Sequence, residues 1–165
     1  MSMFKRALLV LAIAAASSPS WADTPTTTFN VEMTITKACN FETGGTDVDF
    51  GSVQSTAGSA TGAGSLKVNC TKGTTYDIGL SAGSGTLATV TARTMKGTGA
   101  NTDEVPYALY RESGRTTNWG DTVGTTTVSG TGTGVVQTVN VYGSVAGTNF
   151  TADAYSDIIT ATVTY

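Results

Sequence analysis

The sequence predicts an all-β domain, an immunoglobulin-like sandwich left one strand short, and three observations predict it. Composition is the first: 39% of the 165 residues are hydrophobic but only 13% are charged, with 20 Gly, 3 Pro and no His. Thr is the commonest residue and favours strands, while Gly favours turns. Spacing is the second, because short alternating apolar runs recur about every ten residues between Gly-rich turns, as in a sandwich. The third is position: the last alternating run ends at Tyr165, and an unassigned apolar strand stands at the opposite terminus.

Residues 1–22 read as a signal peptide. Lys5 and Arg6 precede an apolar run from Ala7 to Ala16, and the small residues Ser20 and Ala22 precede a cleavage point before Asp23. That run is short for a membrane span, and no later stretch approaches the roughly 20 apolar residues that one needs. The expected mature chain is therefore exported, carries no membrane span, and has about 143 residues, a length that suits one domain.

The first mature run, Thr26 to Cys39, places Phe29, Val31, Met33 and Ile35 on one face, with Asn30, Glu32, Thr34 and Thr36 on the other. Burying those four apolar side chains would contribute roughly 6–12 kcal/mol, comparable with the net stability of a small domain. Gly44-Gly45 reads as a turn, Val48 and Phe50 as a short strand, and the Gly/Ala/Ser/Thr tract from Gln54 to Gly64 as a mobile loop. Leu66 to Cys70 alternates again. Cys39 and Cys70 meet an oxidising compartment after export, and a structural disulfide is expected, worth roughly 3–4 kcal/mol in the chain-entropy picture.

Beyond the turn at Lys72-Gly73, the run from Thr74 to Ser81 has Tyr76, Ile78 and Leu80 as its inward face. Thr86 to Lys96 is rich in β formers, with Leu87, Val90 and Met95 as packing candidates. Val105 to Arg111 is a short strand that Pro106 assigns to an edge or a strand start. A weaker Thr/Val run follows Trp119, SGTGTG at Ser129 to Gly134 is a loop signal, and Val135 to Val145 is another strand. In the final run, Tyr155, Ile159, Ala161, Val163 and Tyr165 share one face. A complete sandwich would place a further strand after this one. The pattern is that of an N-terminal strand of one copy filling the edge left open in the next.

Net charge is −3 with scattered Lys and Arg, so no basic patch exists to follow a phosphate backbone, and nucleic acid is not an expected partner. Without His, Ser–His and Cys–His nucleophile arrangements are excluded. The carboxylate pairs Asp47 with Asp49, Asp103 with Glu104 and Asp153 with Asp157 read as turn residues or strand caps. No enzyme activity, cofactor or metal site is expected. Tyr107, Tyr110, Trp119 and Tyr142 could form a sugar-binding face, but packing inside the sandwich is the plainer reading.

FNVEMTITKAC directly after the signal peptide, the cysteine of SLKVNC, VPYALYR and the terminal YSDIITATVTY together resemble the spore coat protein U domain, the subunit family of archaic chaperone–usher pili. The resemblance covers essentially the whole mature chain. It implies an incomplete immunoglobulin-like sandwich of about six to seven strands over 37–165, preceded by a donor strand at 23–36. It also implies a periplasmic chaperone that lends a strand, an outer-membrane usher that exchanges it, and other pilus subunits as neighbours in a surface fibre supporting adhesion or biofilm formation. Thr27, Phe29, Val31, Met33 and Ile35 would be donor plugs. Ile159, Ala161, Val163 and Tyr165 would line the receiving groove and the chaperone contact. A chain of this length leaves no room for a separate receptor-binding domain, which points to a shaft or adaptor position. A spore or cyst coat protein of the same fold and a monomeric secreted carbohydrate-binding module are the alternatives.

Overall fold

A computed structural model describes residues 21–165, and apart from Trp21 and Ala22 the expected signal peptide lies outside the described residues. Met1–Thr34 and Ile35–Tyr165 separate as two units. In the first, residues 21–34 carry no regular secondary structure, and Phe29, Val31 and Met33 are 83%, 86% and 83% exposed. The run expected as a strand from Thr26 is thus not one within its own chain. A strand exists only through ladder bonds to a partner, and alternation cannot say which molecule supplies it.

The second unit is an all-β sandwich of eight strands: β1 (Cys39–Asp49), β2 (Ala60–Cys70), β3 (Thr75–Leu80), β4 (Arg93–Lys96), β5 (Glu104–Tyr110), β6 (Val128–Thr131), β7 (Gln137–Val145) and β8 (Ala161–Thr164). One sheet has the order β1-β2-β7-β5-β4 and the other β6-β3-β8, every pairing antiparallel. The count exceeds the expected six to seven because β6 forms where a loop was expected, and two tracts taken for loops lie inside strands.

The first is the glycine tract, whose Ala60–Gly64 belongs to β2 and pairs with β7. A Cβ at Gly64 would stand 2.5 Å from the Thr46 carbonyl oxygen, so the missing side chains admit a close backbone approach rather than a free loop. Gly44-Gly45 is likewise not a turn: β1 passes through it with Gly44 at φ +88° and shifts register against β2 between Glu42 and Thr46, a bulge. The second is Ser129–Thr131, inside β6 against β3. Conversely, only Arg93–Lys96 of the expected run from Thr86 is a strand, and Leu87 is 94% exposed at φ +57°, not a packing residue. Val135 is exposed, and the buried face of β7 begins at Val139.

Cys39 and Cys70 form the expected disulfide across the first rung of β1 and β2. Between the sheets lie Val68, Ile78, Leu80, Val105, Leu109, Val141 and Val145, all buried. Trp119 is fully buried, and its indole N–H donates to the Ile78 carbonyl at 2.7 Å. Tyr107 is buried as well, so two of the four rings considered for a sugar-binding face are packing residues. Pro106 pairs with Thr94 of β4, while β7 reaches only Ala108–Tyr110 of β5, which leaves the proline at a one-sided position.

Pairing also sets the ends of the body. The Cys39–Cys70 rung marks one end, and β3 leaves it with Thr75 and reaches Leu80 at the other, opposite Ala161. β1 runs from the cysteine end to the far end, and β8 returns toward the cysteine end.

Candidate functional site: an apolar cleft between the first and last strands

β1 ends one sheet and β8 ends the other. Toward the far end the sandwich is open between β1 and the segment leading into β8. A cleft of about 1070 Å³ lies there, bounded on one side by Thr46 to Ser55 and on the other by Thr148 and Phe150 to Asp157 with Ile159 and Ala161. Its floor includes Leu80, Val105, Tyr107, Leu109, Val141 and Val145 of the core. A groove floored by the core itself leaves apolar area in contact with water that a complete sandwich would cover.

Two features shape the β1 wall. After the register shifts, Val48 and Phe50 turn inward; a Cβ on Gly143 would stand 2.7 Å from atoms of both, so that glycine makes their room. Phe50 packs edge-on against Tyr107 with centroids 6.3 Å apart.

The opposite wall keeps strand-like alternation from Tyr155 to Val163, but only Ala161–Thr164 is regular strand. The irregular stretch is held from outside. Ser156 exchanges backbone hydrogen bonds with Lys96 at 2.9 and 3.0 Å, and Ser81 does the same for Thr160, taking the Thr160 N–H on its hydroxyl. Asp157 accepts from the Ser84 N–H, the Ser84 hydroxyl and its neighbour's Ile158 N–H on one oxygen, and from the Tyr107 hydroxyl at 2.6 Å on the other. Burial acts to raise its carboxyl, but those donors outweigh it and hold the group below the ordinary range. Burial first, then the Asp157 carboxylate, pushes the Tyr107 phenol well above its usual value.

At the head of that wall, Asp153 binds the Thr98 and Asn101 loop through the Thr98 N–H at 2.8 Å and the Asn101 amide at 2.9 Å. The Thr98 and Asn101 side chains hold its carboxyl down at about 2. A depressed folded value means that this attachment is complete above the ordinary value of 3.8 and is lost as pH falls through about 2. The Thr98 amide resonance is therefore expected to titrate with a midpoint near pH 2; a midpoint near 4 would show that the clasp does not form.

Of the residues assigned to a receiving groove, Ile159 and Ala161 line the cleft. Val163 packs against the core beyond the lining, and Tyr165 is exposed near the cysteine end. Phe29, Val31, Met33 and Ile35 are exposed. Sequence reasoning missed the β1 wall and the Tyr107–Asp157 clasp; the signal for the wall was the alternation of Val48 and Phe50 after a glycine pair. Among the described residues no group of three or more His, Cys, Asp or Glu side chains is placed to hold a metal ion, and no helix is long and apolar enough to cross a membrane.

A family model described as Spore Coat Protein U domain matches residues 25–162. Protein U of Myxococcus xanthus is 35% identical over 181 aligned positions that cover 100% of each chain. Among solved structures, the CsuC–CsuE complex of a chaperone and a tip adhesion subunit, from the archaic chaperone-usher Csu pili of Acinetobacter baumannii, aligns with a TM-score of 0.56 at 22% identity. That alignment covers 80% of this chain and 40% of the other, so the present chain spans well under half its length. The likeness shows a shared immunoglobulin-like fold.

Proposed function

The chain belongs to the Spore Coat Protein U domain family, a family of structural proteins and not of enzymes, and we propose that it is a structural subunit of a surface fibre that polymerises by donor-strand complementation. One observation carries the reading: a sandwich open between its first and last strands over a core floor, in a chain whose leading segment exposes an alternating apolar face. Thr27, Phe29, Val31, Met33 and Ile35 enter the cleft of the next copy as plugs. From Phe29 to Ile35 is six residue steps, about 20 Å at strand rise, and from Tyr155 to Ala161 is also six. Added backbone bonds give such a strand affinity, and alternate side chains give it specificity.

The incoming strand runs antiparallel to β8. A parallel one would bring the neighbouring body to the cysteine end, where the receiving copy's own leading segment departs from Cys39. Antiparallel insertion leaves that end free and yields an open head-to-tail chain. Before assembly the cleft needs a temporary occupant, which is the part of a periplasmic chaperone, and an outer-membrane usher effects the exchange. The fibre is exported to the cell surface, where it serves adhesion or biofilm formation. The family description and the full-length match to Protein U also favour a second reading, a coat layer built by the same strand exchange.

A synthetic peptide of residues 23–37 tests the proposal. Added at a hundred times its dissociation constant to a body beginning at residue 36, it is expected to stabilise by about 2.7 kcal/mol, a rise of roughly 10 °C in Tm. A peptide with Val31→Asp should give no rise. If both peptides behave alike, the cleft does not read the alternating face.

A further inference from the structure

The link between the donor plugs and the body is short and fastened. Only Thr36, Lys37 and Ala38 separate Ile35 from the disulfide-bonded Cys39. The Ala38 N–H donates to the Thr71 hydroxyl at 3.0 Å, the Thr71 N–H donates to the Ala38 carbonyl at 2.9 Å, and the same hydroxyl lies 3.4 Å from the Thr36 carbonyl. Four residue steps span at most about 14 Å. Once Ile35 is seated in a neighbour, the cysteine end of the donating body must stand against the neighbour's far end.

The exposed charges at the two ends differ in sign, apart from Arg115, which the far end holds on the Gly62 and Gly143 carbonyls. Lys37 and Lys72 flank the fastened corner, on either side of the Ala38–Thr71 pairing. The cleft's far-end lining includes Asp47, Asp49, Asp153 and Asp157 and no lysine or arginine. Asp153 and Asp157 are committed to clasps within the wall, and Lys96 on its outer side lies in the field of Glu104. Asp47 and Asp49 are exposed on β1, and Asp49 spends one oxygen on the Gly51 N–H.

We propose that consecutive copies make a second, charge-complementary contact, in which Lys37 and Lys72 at the cysteine end of one copy dock on Asp47 and Asp49 at the far end of the next. It rests on the donor-strand reading and adds what sets the angle between subunits. Plugs in a groove fix register along the strand; a fastened link plus a charged seat fixes the tilt of one body on the other. The tether keeps the two ends close together, so the contact acts at a high effective concentration that a free surface pair lacks.

Fibres of the full mature chain provide the test, with depolymerisation rate in mild denaturant as the readout and circular dichroism of the subunit as a fold control. Lys72→Glu and Asp47→Lys are each expected to speed depolymerisation about fivefold at 50 mM salt, a change of the size that charged surface contacts supply. The difference should vanish near 1 M salt, and the double reversal K72E/D47K should restore the wild-type rate. Equal rates for wild type and both single variants at 50 mM salt would overturn the docking contact while leaving strand donation intact, as would a double variant no slower than the singles. Failure of the wild-type chain itself to assemble would overturn strand donation, and the contact with it.

Discussion

Deleting residues 23–35 is expected to abolish fibre formation while leaving a folded subunit that still binds a chaperone. All eight strands, the Cys39–Cys70 disulfide and the Ala38–Thr71 fastening lie outside the deleted segment. What goes is the whole plug set. Four apolar side chains supply roughly 6–12 kcal/mol of gross burial in a partner, against an association cost of about 4–15 kcal/mol. No residual contact of subunit size compensates for losing a term that large, so the loss of polymer should be complete rather than partial. Cleft binding by a chaperone needs only the acceptor walls, and these remain. Sedimentation of the truncated and full chains, each with and without chaperone, separates the cases. A truncated chain that polymerises at the wild-type rate would mean that the leading segment is not the donor.

The exposed leading face and the run into the last strand could be read from residues because each is a local pattern. Phe29, Val31, Met33 and Ile35 alternate without interruption, and so do Ile159, Ala161 and Val163, so period alone exposes a face in both. The walls and floor of the cleft could not be read that way. Leu80, Tyr107 and Val145 come from three strands brought together only by long-range pairing. Glycine misled in both directions: in Ala60–Gly64 it lets backbones approach and at Gly130 it makes room for the Tyr76 ring, while elsewhere the same residue marks turns. Nor does composition distinguish Asp157, which clasps Tyr107, from the exposed Asp47, because a carboxylate's role depends on which donors the fold brings to it.

Arg93 was the least legible residue. Nothing in the run TARTMK singles it out, yet it is wholly buried. Its guanidinium donates to the carbonyls of Leu80, Ser81, Val90 and Trp119, at 3.1, 2.8, 2.6 and 2.9 Å. These four come from the end of β3, the segment after it, the approach to β4 and the segment after β5. One planar group with five donors thus ties the end of β3 to the approach to β4 and to the segment after β5. Burial disfavours its charged form, opposed by Tyr107, Asp157 and Asp121 nearby, but a guanidinium keeps its proton.

Arg93→Met is therefore expected to destabilise the subunit by about 3–5 kcal/mol, since methionine fills similar space but strands four acceptors, two of them buried and two part-buried. Arg93→Lys keeps the charge and should still cost about 2 kcal/mol or more, because an ammonium cannot meet four acceptors in the fork's geometry. Ser81 and Leu80 also position Thr160 and Ala161, so that wall of the cleft should loosen with them. Thermal unfolding of the mature subunit should show both variants melting well below the wild type, methionine lower than lysine, and donor-peptide binding should weaken in the same order. A methionine variant melting within about 2 °C of the wild type would show that the four carbonyls find other donors, and that the receiving wall does not depend on this arginine.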